Sequence, residues 1–516
     1  MKHLVVGSSF LQEPAWRIMI DEALESAEKG NEVYFAYCAG GCRVCCNNPF
    51  GSRIACLFCR FYQRKYLKKL MPTARLVPFR RAAASGERKP FEYSSMADIK
   101  GTQYRGVNIG YGVLSSYITW TRELVYDFPP EKRRYFDFLF EEARRTVDFA
   151  YEAVEALKPD LVSLYNGRMI EARPFLDLAR IYKIPMRGNE IVLTTAENGD
   201  QVYQKIIYPD CLPHDIDENA AIAERLWAMP NCSEEEKART AAAFFTKRRG
   251  GVPAGDAWNP GQERTFIKGQ EKGLMPDDWD PGKKNIVIFN SSEDEYSSID
   301  PKFDSFSLFQ SQMEGVSSIC ELLADRNDFH VYLRVHPNLS KIPFSYHTDL
   351  YKLPEKYPNL TVLHATSKHS TYDLMDQAYK VVVFGSTMGA EAAYWGKTSI
   401  LVAAALYYKL GFCRTPRTKA ELLDDLCSPP RPVEDKTQIL KYGYFMVARK
   451  YCSMATKHLT ADFKKIGLFN KSYWIPAYPK VANSWLATKL VRSRALCHIV
   501  KSLHLANPPI SLFRGE

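Results

Sequence analysis

The chain has 516 residues and a mass of 59.0 kDa, too much for one ordinary hydrophobic core, so two domains are expected. Its 46% hydrophobic and 25% charged residues exclude wholesale disorder, a collagen-like repeat and a coiled-coil rod. The net charge is +10, and no apolar run approaches the roughly 20 residues needed for a helix to span a bilayer.

In chain order, residues 2–7 read as an apolar strand ending in Gly-Ser-Ser, followed by a helical pattern over about 14–29 that stops at Gly30. The opening turns polar too early for a signal peptide, so a cytoplasmic location is expected. A strand at 32–37 leads into a cysteine-rich loop. An irregular Ser/Gly/Arg stretch near 80–110 precedes a long helix over about 130–157. A buried strand at 161–164 then empties into Asn166-Gly167-Arg168, followed by a helix over 174–182 and a strand at 184–186. Residues 250–283, dense in Gly, Pro, Asp and Trp, mark a linker. Beyond it the alternation restarts, with strands at 285–289, 330–335, 360–363, 381–384 and 399–402 and helices over about 305–324, 371–378 and 387–395. Such alternation builds parallel sheets.

The expected fold class is therefore α/β, with two Rossmann-like domains, a deep crevice between them and a basic helical tail. Residues 1–275 form the first domain, with a Cys-rich insertion at 38–59; residues 276–430 form the second and 431–516 the tail. In open parallel sheets ligands bind beyond the carboxyl ends of strands, so the residues following each strand are the candidates.

The strongest signal is VVVFGSTMGAEAAYWGK, residues 381–397. Three valines and a phenylalanine make a buried strand, Gly385 permits a tight turn, and Ser386 and Thr387 cap a helix whose free N–H groups and dipole favour a phosphate. Glu391, one turn on, is placed to accept from ribose hydroxyls. The bland alternative is an N-capped helix packed for its own sake. The second signal, LRVHPNLSK, leaves His336 and Pro337 at another strand end, with Asn338 and Lys341 as further donors.

His336-Pro337, then Thr371-Tyr372-Asp373-Leu374, then Phe384-Gly385-Ser386-Thr387 with Gly389, Glu391 and Ala392, and finally Gly396-Lys397, resemble the carboxyl-terminal half of bacterial capsule and lipopolysaccharide polysaccharide-synthesis glycosyltransferases of GT-B architecture. The likeness covers residues 285–402 well and the first half only by the order of its elements. It is similar in kind to the CMP-sugar enzymes of this type, the Kdo transferases and sialyltransferases. The resemblance implies a nucleotide-sugar donor held by His336, Pro337, Gly385, Ser386, Thr387, Glu391 and Tyr372, a glycan or glycolipid acceptor, and transfer without a catalytic metal. It also leaves a CDP-glycerol-type phosphotransferase and a non-catalytic nucleotide-binding scaffold as alternatives. No Asp-x-Asp follows a strand; Glu293-Asp294-Glu295 is the nearest acidic cluster, a solvated loop or a contact with the donor.

An inverting transfer needs a general base from the first domain. Glu13 and Glu190 are the candidates by position, and Arg168 can clamp an acidic sugar or a phosphate. Six of the thirteen cysteines fall between Cys38 and Cys59. Cys42-x2-Cys45 and Cys56-x2-Cys59 have the spacing of a structural zinc knuckle, with Cys38 and Cys46 as substitutes. An iron–sulfur cluster, a disulfide or reduced thiols are the alternatives.

The charge is uneven. Of the 69 basic and 59 acidic residues, 15 and 4 fall within 431–516, a net of +11, and the remaining 54 and 55 nearly cancel. An excess confined to one tail argues against a nucleic-acid groove and for an anionic membrane surface. From 484 to 505 apolar residues recur at helical spacing with Lys489, Arg492, Arg494 and Lys501 between them, so peripheral attachment at the inner face of the cytoplasmic membrane is expected.

Overall fold

The alternation of strand and helix is realised as two separate parallel sheets. A computed structural model describes residues 1–7, 13–45, 48, 53–71, 73–80, 89–195, 201–251, 269–449 and 454–455. These fall into two units, one of residues 1–192, 201–213 and 454–455, the other of residues 193–195 and 214–449.

The first unit runs β1 (Lys2–Gly7), α1 (Glu13–Glu28), β2 (Glu32–Cys38), α2 (Arg53–Leu70), β3 (Arg75–Phe79), α3 (Met96–Gly101), β4 (Gln103–Tyr104), β5 (Val107–Asn108), α4 (Gly110–Thr121), α5 (Pro130–Leu157), β6 (Leu161–Tyr165), α6 (Arg173–Ile181), β7 (Met186–Thr195) and β8 (Gln201–Pro209). Its sheet has the order β8-β7-β6-β1-β2-β3, and the pairs from β7 to β3 are parallel. The first strand lies at the centre with later strands added on both sides, which is the Rossmann winding. β1 and β2 are apolar because both faces are covered. Val5 and Phe35 are fully buried, and the Trp16 ring of α1 meets Phe35 edge-on at 6.5 Å.

One strand extends beyond its expected length. The sequence pattern stops at residue 186 because Arg-Gly-Asn-Glu is polar, yet β7 continues to Thr195. Two of the polar side chains find partners nearby: Asn189 Nδ2 donates to the Leu164 carbonyl at 3.4 Å, and Glu190 accepts from Tyr165 and Asn166.

The second unit contains α7 (Ile216–Ala228), α8 (Glu234–Arg249), β9 (Lys284–Phe289), α9 (Pro301–Asp304), α10 (Gln312–Leu322), β10 (Phe329–Arg334), α11 (Ser345–Thr348), α12 (Leu353–Lys356), β11 (Leu360–Leu363), α13 (Thr371–Gln377), β12 (Lys380–Val383), α14 (Met388–Tyr394), β13 (Ser399–Leu401), α15 (Lys419–Cys427) and α16 (Thr437–Ala448). Its five strands, all parallel, have the order β11-β10-β9-β12-β13. Strand order reverses between β9 and β12, and that reversal opens the ligand position at their carboxyl ends. After α16, β14 (Met454–Ala455) joins the first sheet antiparallel to β8.

Residues 214–249, which composition alone puts with the first domain, group with the second unit because α7 and α8 pack on α16. The expected helix over 305–324 starts at Gln312, where the Ser311 hydroxyl accepts from the Glu314 N–H. The basic helix expected over 484–505 lies outside the described residues, and so do residues 252–268 of the linker. Among the described residues no helix is long and apolar enough to cross a membrane.

Candidate functional site

The carboxyl end of β9 ties the two sequence motifs together. Beyond Phe289 come Asn290, Ser291 and Ser292, all buried. Asn290 Oδ1 accepts from the His336 backbone N–H at 2.8 Å, so β9 fixes the end of β10. The Ser291 hydroxyl donates to the Phe384 carbonyl at 2.6 Å and accepts from Gln312 Nε2 at 3.0 Å, so β9 also fixes the end of β12. The expected pairing of the His-Pro element with the Gly-Ser-Thr turn thus rests on residues that carry no motif signal.

His336 is half-buried, and its Nδ1 accepts from the Asn338 N–H at 3.2 Å. An accepting Nδ1 puts the neutral ring's proton on Nε2, which makes that atom a donor. Pro337 opens a single helical turn, 337–339. Gly385 has φ +75°, and a Cβ there would lie 2.6 Å from the Ala404 carbonyl oxygen, so the turn requires glycine. The Tyr407 hydroxyl donates to the Ser386 carbonyl and holds the turn from the far side.

Ser386 is buried and its hydroxyl accepts from the Met388 N–H at 3.3 Å. Thr387 is the residue preceding α14, but its side chain makes no capping bond. Its Oγ1 accepts from Arg248 Nη2 at 2.9 Å and lies 3.4 Å from Glu391 Oε1. Glu391 departs furthest from expectation. It is buried, its Oε1 pairs with Arg248 Nε at 2.9 Å, and its Oε2 accepts from the Tyr372 hydroxyl. Both oxygens are engaged by protein, so Glu391 anchors the turn's frame. Burial, reinforced by the Glu391 charge, holds the Tyr372 phenol far above its ordinary pKa.

No sequence motif marks Arg248. It ends α8, which opens with Glu234, Glu235 and Glu236 under a Ser233 capping box and closes with Lys247, Arg248 and Arg249, complementing the helix dipole at both ends. The neighbouring Arg249 pairs with Asp376, and its guanidinium lies 4.7 Å from the Trp395 ring centre. The only available signal was the basic last turn.

Two polar atoms at this strand end stand apart. Asn290 Nδ2 and Ser292 Oγ are buried and have no hydrogen-bond partner among the described residues. The following Glu293–Glu295 turn is helical; Asp294 is buried, and Glu293 Oε2 accepts from the Gln312 N–H at 3.2 Å.

On the first unit, Glu190 is buried just past the parallel stretch of β7. Its Oε1 accepts from the Tyr165 hydroxyl at 2.7 Å and the Ile191 N–H at 3.0 Å, and its Oε2 from Asn166 Nδ2 at 2.8 Å. Burial pushes its pKa up against these hydrogen bonds and the Arg168 charge. Arg168 therefore shares Glu190's surroundings, and its Nη2 reaches Thr119 Oγ1 at 3.4 Å. Glu13 is the first residue of α1; its side chain lies outside the described residues.

Among the described residues no three His, Cys, Asp or Glu side chains gather where a metal could sit, and Cys42, Cys45, Cys56 and Cys59 are all described. The thiols have other partners: Cys42 donates to the Val44 carbonyl at 2.5 Å, and Cys56 Sγ accepts from Asn48 Nδ2 at 3.2 Å. Cys46 lies outside the described residues.

Two Rossmann-wound units, one with its strand ends drawn together at the reversal point, define an α/β protein built on open, mainly parallel sheets. No family model matches the chain. No curated protein matches it in sequence. Solved structures that match include a KpsC β-Kdo 2,4-transferase of Thermosulfurimonas dismutans, 16% identical over 55% of this chain and 86% of its own, TM-score 0.30. The β-Kdo 2,7-transferase of the same organism's KpsC is 14% identical over 59% and 90%, TM-score 0.28. A UDP-GlcNAc 2-epimerase of Neisseria meningitidis bound to UDP-GlcNAc is 12% identical over 96% and 100%, TM-score 0.24. The functional reading rests on the site's own residues.

Proposed function

We propose that the chain is a glycosyltransferase that takes a sugar from a nucleotide-sugar donor, CMP-linked by the sequence resemblance, and passes it to a growing surface polysaccharide or glycolipid. The observation that carries this reading is the end of β9, where Asn290 Nδ2 and Ser292 Oγ are buried without partners beside His336 and the Gly385-Ser386-Thr387 turn. A buried polar group left unpaired costs about 1–3 kcal/mol, so a cluster of them marks a place where a ligand completes the bonding.

In this reading His336 Nε2–H, Ser386 and the Asn290 amide donate to the donor's phosphate and stabilise the charge that grows there as the bond to the sugar breaks. Glu391, itself held by Tyr372, acts through Arg248, which holds Thr387 in place. The general base is assigned to Glu190, whose pKa burial raises. Arg168 serves an acidic group of the acceptor. The tail of 431–516, with its net +11, keeps the enzyme on the anionic cytoplasmic face of the membrane.

Calorimetry with CMP-, UDP-, GDP- and CDP-linked donors tests the reading. One donor class should bind and, without acceptor, slowly release free sugar and nucleotide. Ser386→Ala and His336→Ala should each weaken binding by about 1–3 kcal/mol. Turnover of CDP-glycerol would point to the phosphotransferase, and binding without turnover to the scaffold. If no donor binds, or both variants bind like the parent, the reading fails.

A further inference from the structure

Helix α2 carries a surface that neither sheet nor site explains. Its buried side is Cys59, Gln63 and Leu67, and two of these belong to the core under β1 and β2, so the helix is firmly seated. The opposite side is Leu57, Phe61, Arg64 and Lys68, all exposed. Spacings of four, three and four residues put them in one stripe along the helix. Leu57 at 61% and Phe61 at 63% are the two most exposed large apolar side chains among the described residues. The 18-residue helix holds six Lys/Arg and no Asp/Glu, and from residue 53 to 89 the chain holds eleven basic residues and one acidic, Glu87.

We propose that this face of α2 docks on an anionic phospholipid surface, with Leu57 and Phe61 entering the headgroup layer and Arg64 and Lys68 pairing with lipid phosphates. Two protruding apolar groups in water gain by transfer to the interface, and a helix without a single carboxylate meets no repulsion there. A second copy of the chain is disfavoured as occupant, because an isologous contact would oppose two helices of net +6. The inference does not depend on the donor site, and vesicle binding is measured without nucleotide, so either can fail alone.

The test uses the full chain with phosphatidylcholine vesicles and with vesicles of equal parts phosphatidylcholine and phosphatidylglycerol. The parent chain should partition to the anionic vesicles and not the neutral ones. Leu57→Ser/Phe61→Ser and Arg64→Glu/Lys68→Glu, both at exposed positions, should each lower that partitioning by about tenfold or more. Hydrogen exchange of the parent chain should slow in α2 only with anionic vesicles, a readout that needs no variant. Unchanged partitioning in both variants overturns the proposal and leaves attachment to the tail. Loss in the charge variant alone means the face reads charge without insertion, as for an acidic protein, and overturns it too. Self-association abolished by the apolar pair, with vesicle binding intact, assigns the face to a second copy.

Discussion

The structure makes Glu391 a buried anchor where the sequence motif makes it a ribose ligand, and the two assignments separate experimentally. Glu391 is 1% exposed and Arg248 9% exposed at the side chain, with Nε and Oε1 2.9 Å apart. Breaking a buried pair by removing one partner costs about 3–5 kcal/mol, because the remaining charge is stranded. Arg248→Met should therefore destabilise the second unit by that amount, and Glu391→Gln by about 3 kcal/mol, since its amide would face the guanidinium. At about 2–4 °C per kcal/mol for a unit of this size, the melting transition moves down by roughly 6–12 °C for Glu391→Gln and roughly 6–20 °C for Arg248→Met.

The double variant Arg248→Met/Glu391→Met puts two apolar chains of matching size in the same space and should melt nearer the parent than either single methionine variant, so the losses are strongly non-additive. Calorimetric melting of the parent, Arg248→Met, Glu391→Met and the double variant completes the cycle, and Glu391→Gln is melted beside them with nucleotide affinity measured in parallel. Strictly additive losses would refute the buried-pair argument. So would a Glu391→Gln protein that melts like the parent and has lost only nucleotide affinity; that result would return the carboxylate to the ligand.

Ser292→Ala removes a buried hydroxyl with no partner, so the ligand-free melting temperature should hold or rise while donor affinity falls about fivefold; a fall in stability with affinity kept contradicts the ligand role. Gly385→Ala should cost about 1–3 kcal/mol, because φ is +75° and the new Cβ would meet the Ala404 carbonyl; a parent-like denaturant midpoint contradicts this. In the first unit burial lowers the His3 pKa to about 4, so folded His3 stays neutral while the unfolded form takes up a proton below about 6.5. Stability should thus fall by about 3 kcal/mol as pH drops from 6.5 to 4, and His3→Gln should flatten that slope in denaturant titrations. Burial by itself would raise the Glu22 pKa, but Lys205 and Arg187 outweigh it and hold it at about 2, which adds a further loss between about pH 4.5 and 2.

The winding of both sheets was legible because the strands β1, β9 and β12 are continuous apolar runs, the mark of strands covered on both faces. Helix α5 was legible to its last residue, since Pro130 opens it and a long apolar stripe continues to Leu157. The placement of α7 and α8 was not, because a helix with apolar residues facing α16 looks the same in sequence whichever domain it caps. Nor were the cysteine partners, since spacing says nothing about whether a thiol finds a metal or a backbone carbonyl. The turn at Gly385 was legible from glycine's freedom alone, but its supports, Tyr407 and Arg248, come from distant segments that no local pattern marks.

The polar residues of the second unit's strand ends therefore divide by whether the fold has already completed their bonding. Glu391, Thr387, Tyr372 and Ser291 have partners within the protein, and changing any of them should register first in stability. Asn290 Nδ2 and Ser292 Oγ are buried at a desolvation cost that nothing among the described residues offsets. A fold tolerates that cost where a bound molecule offsets it, so the proposed ligand site is placed at the end of β9 more than at the motif after β12. His336 stands between the two groups: its Nδ1 is committed to the Asn338 N–H, and that commitment is what directs its other nitrogen to act as a donor.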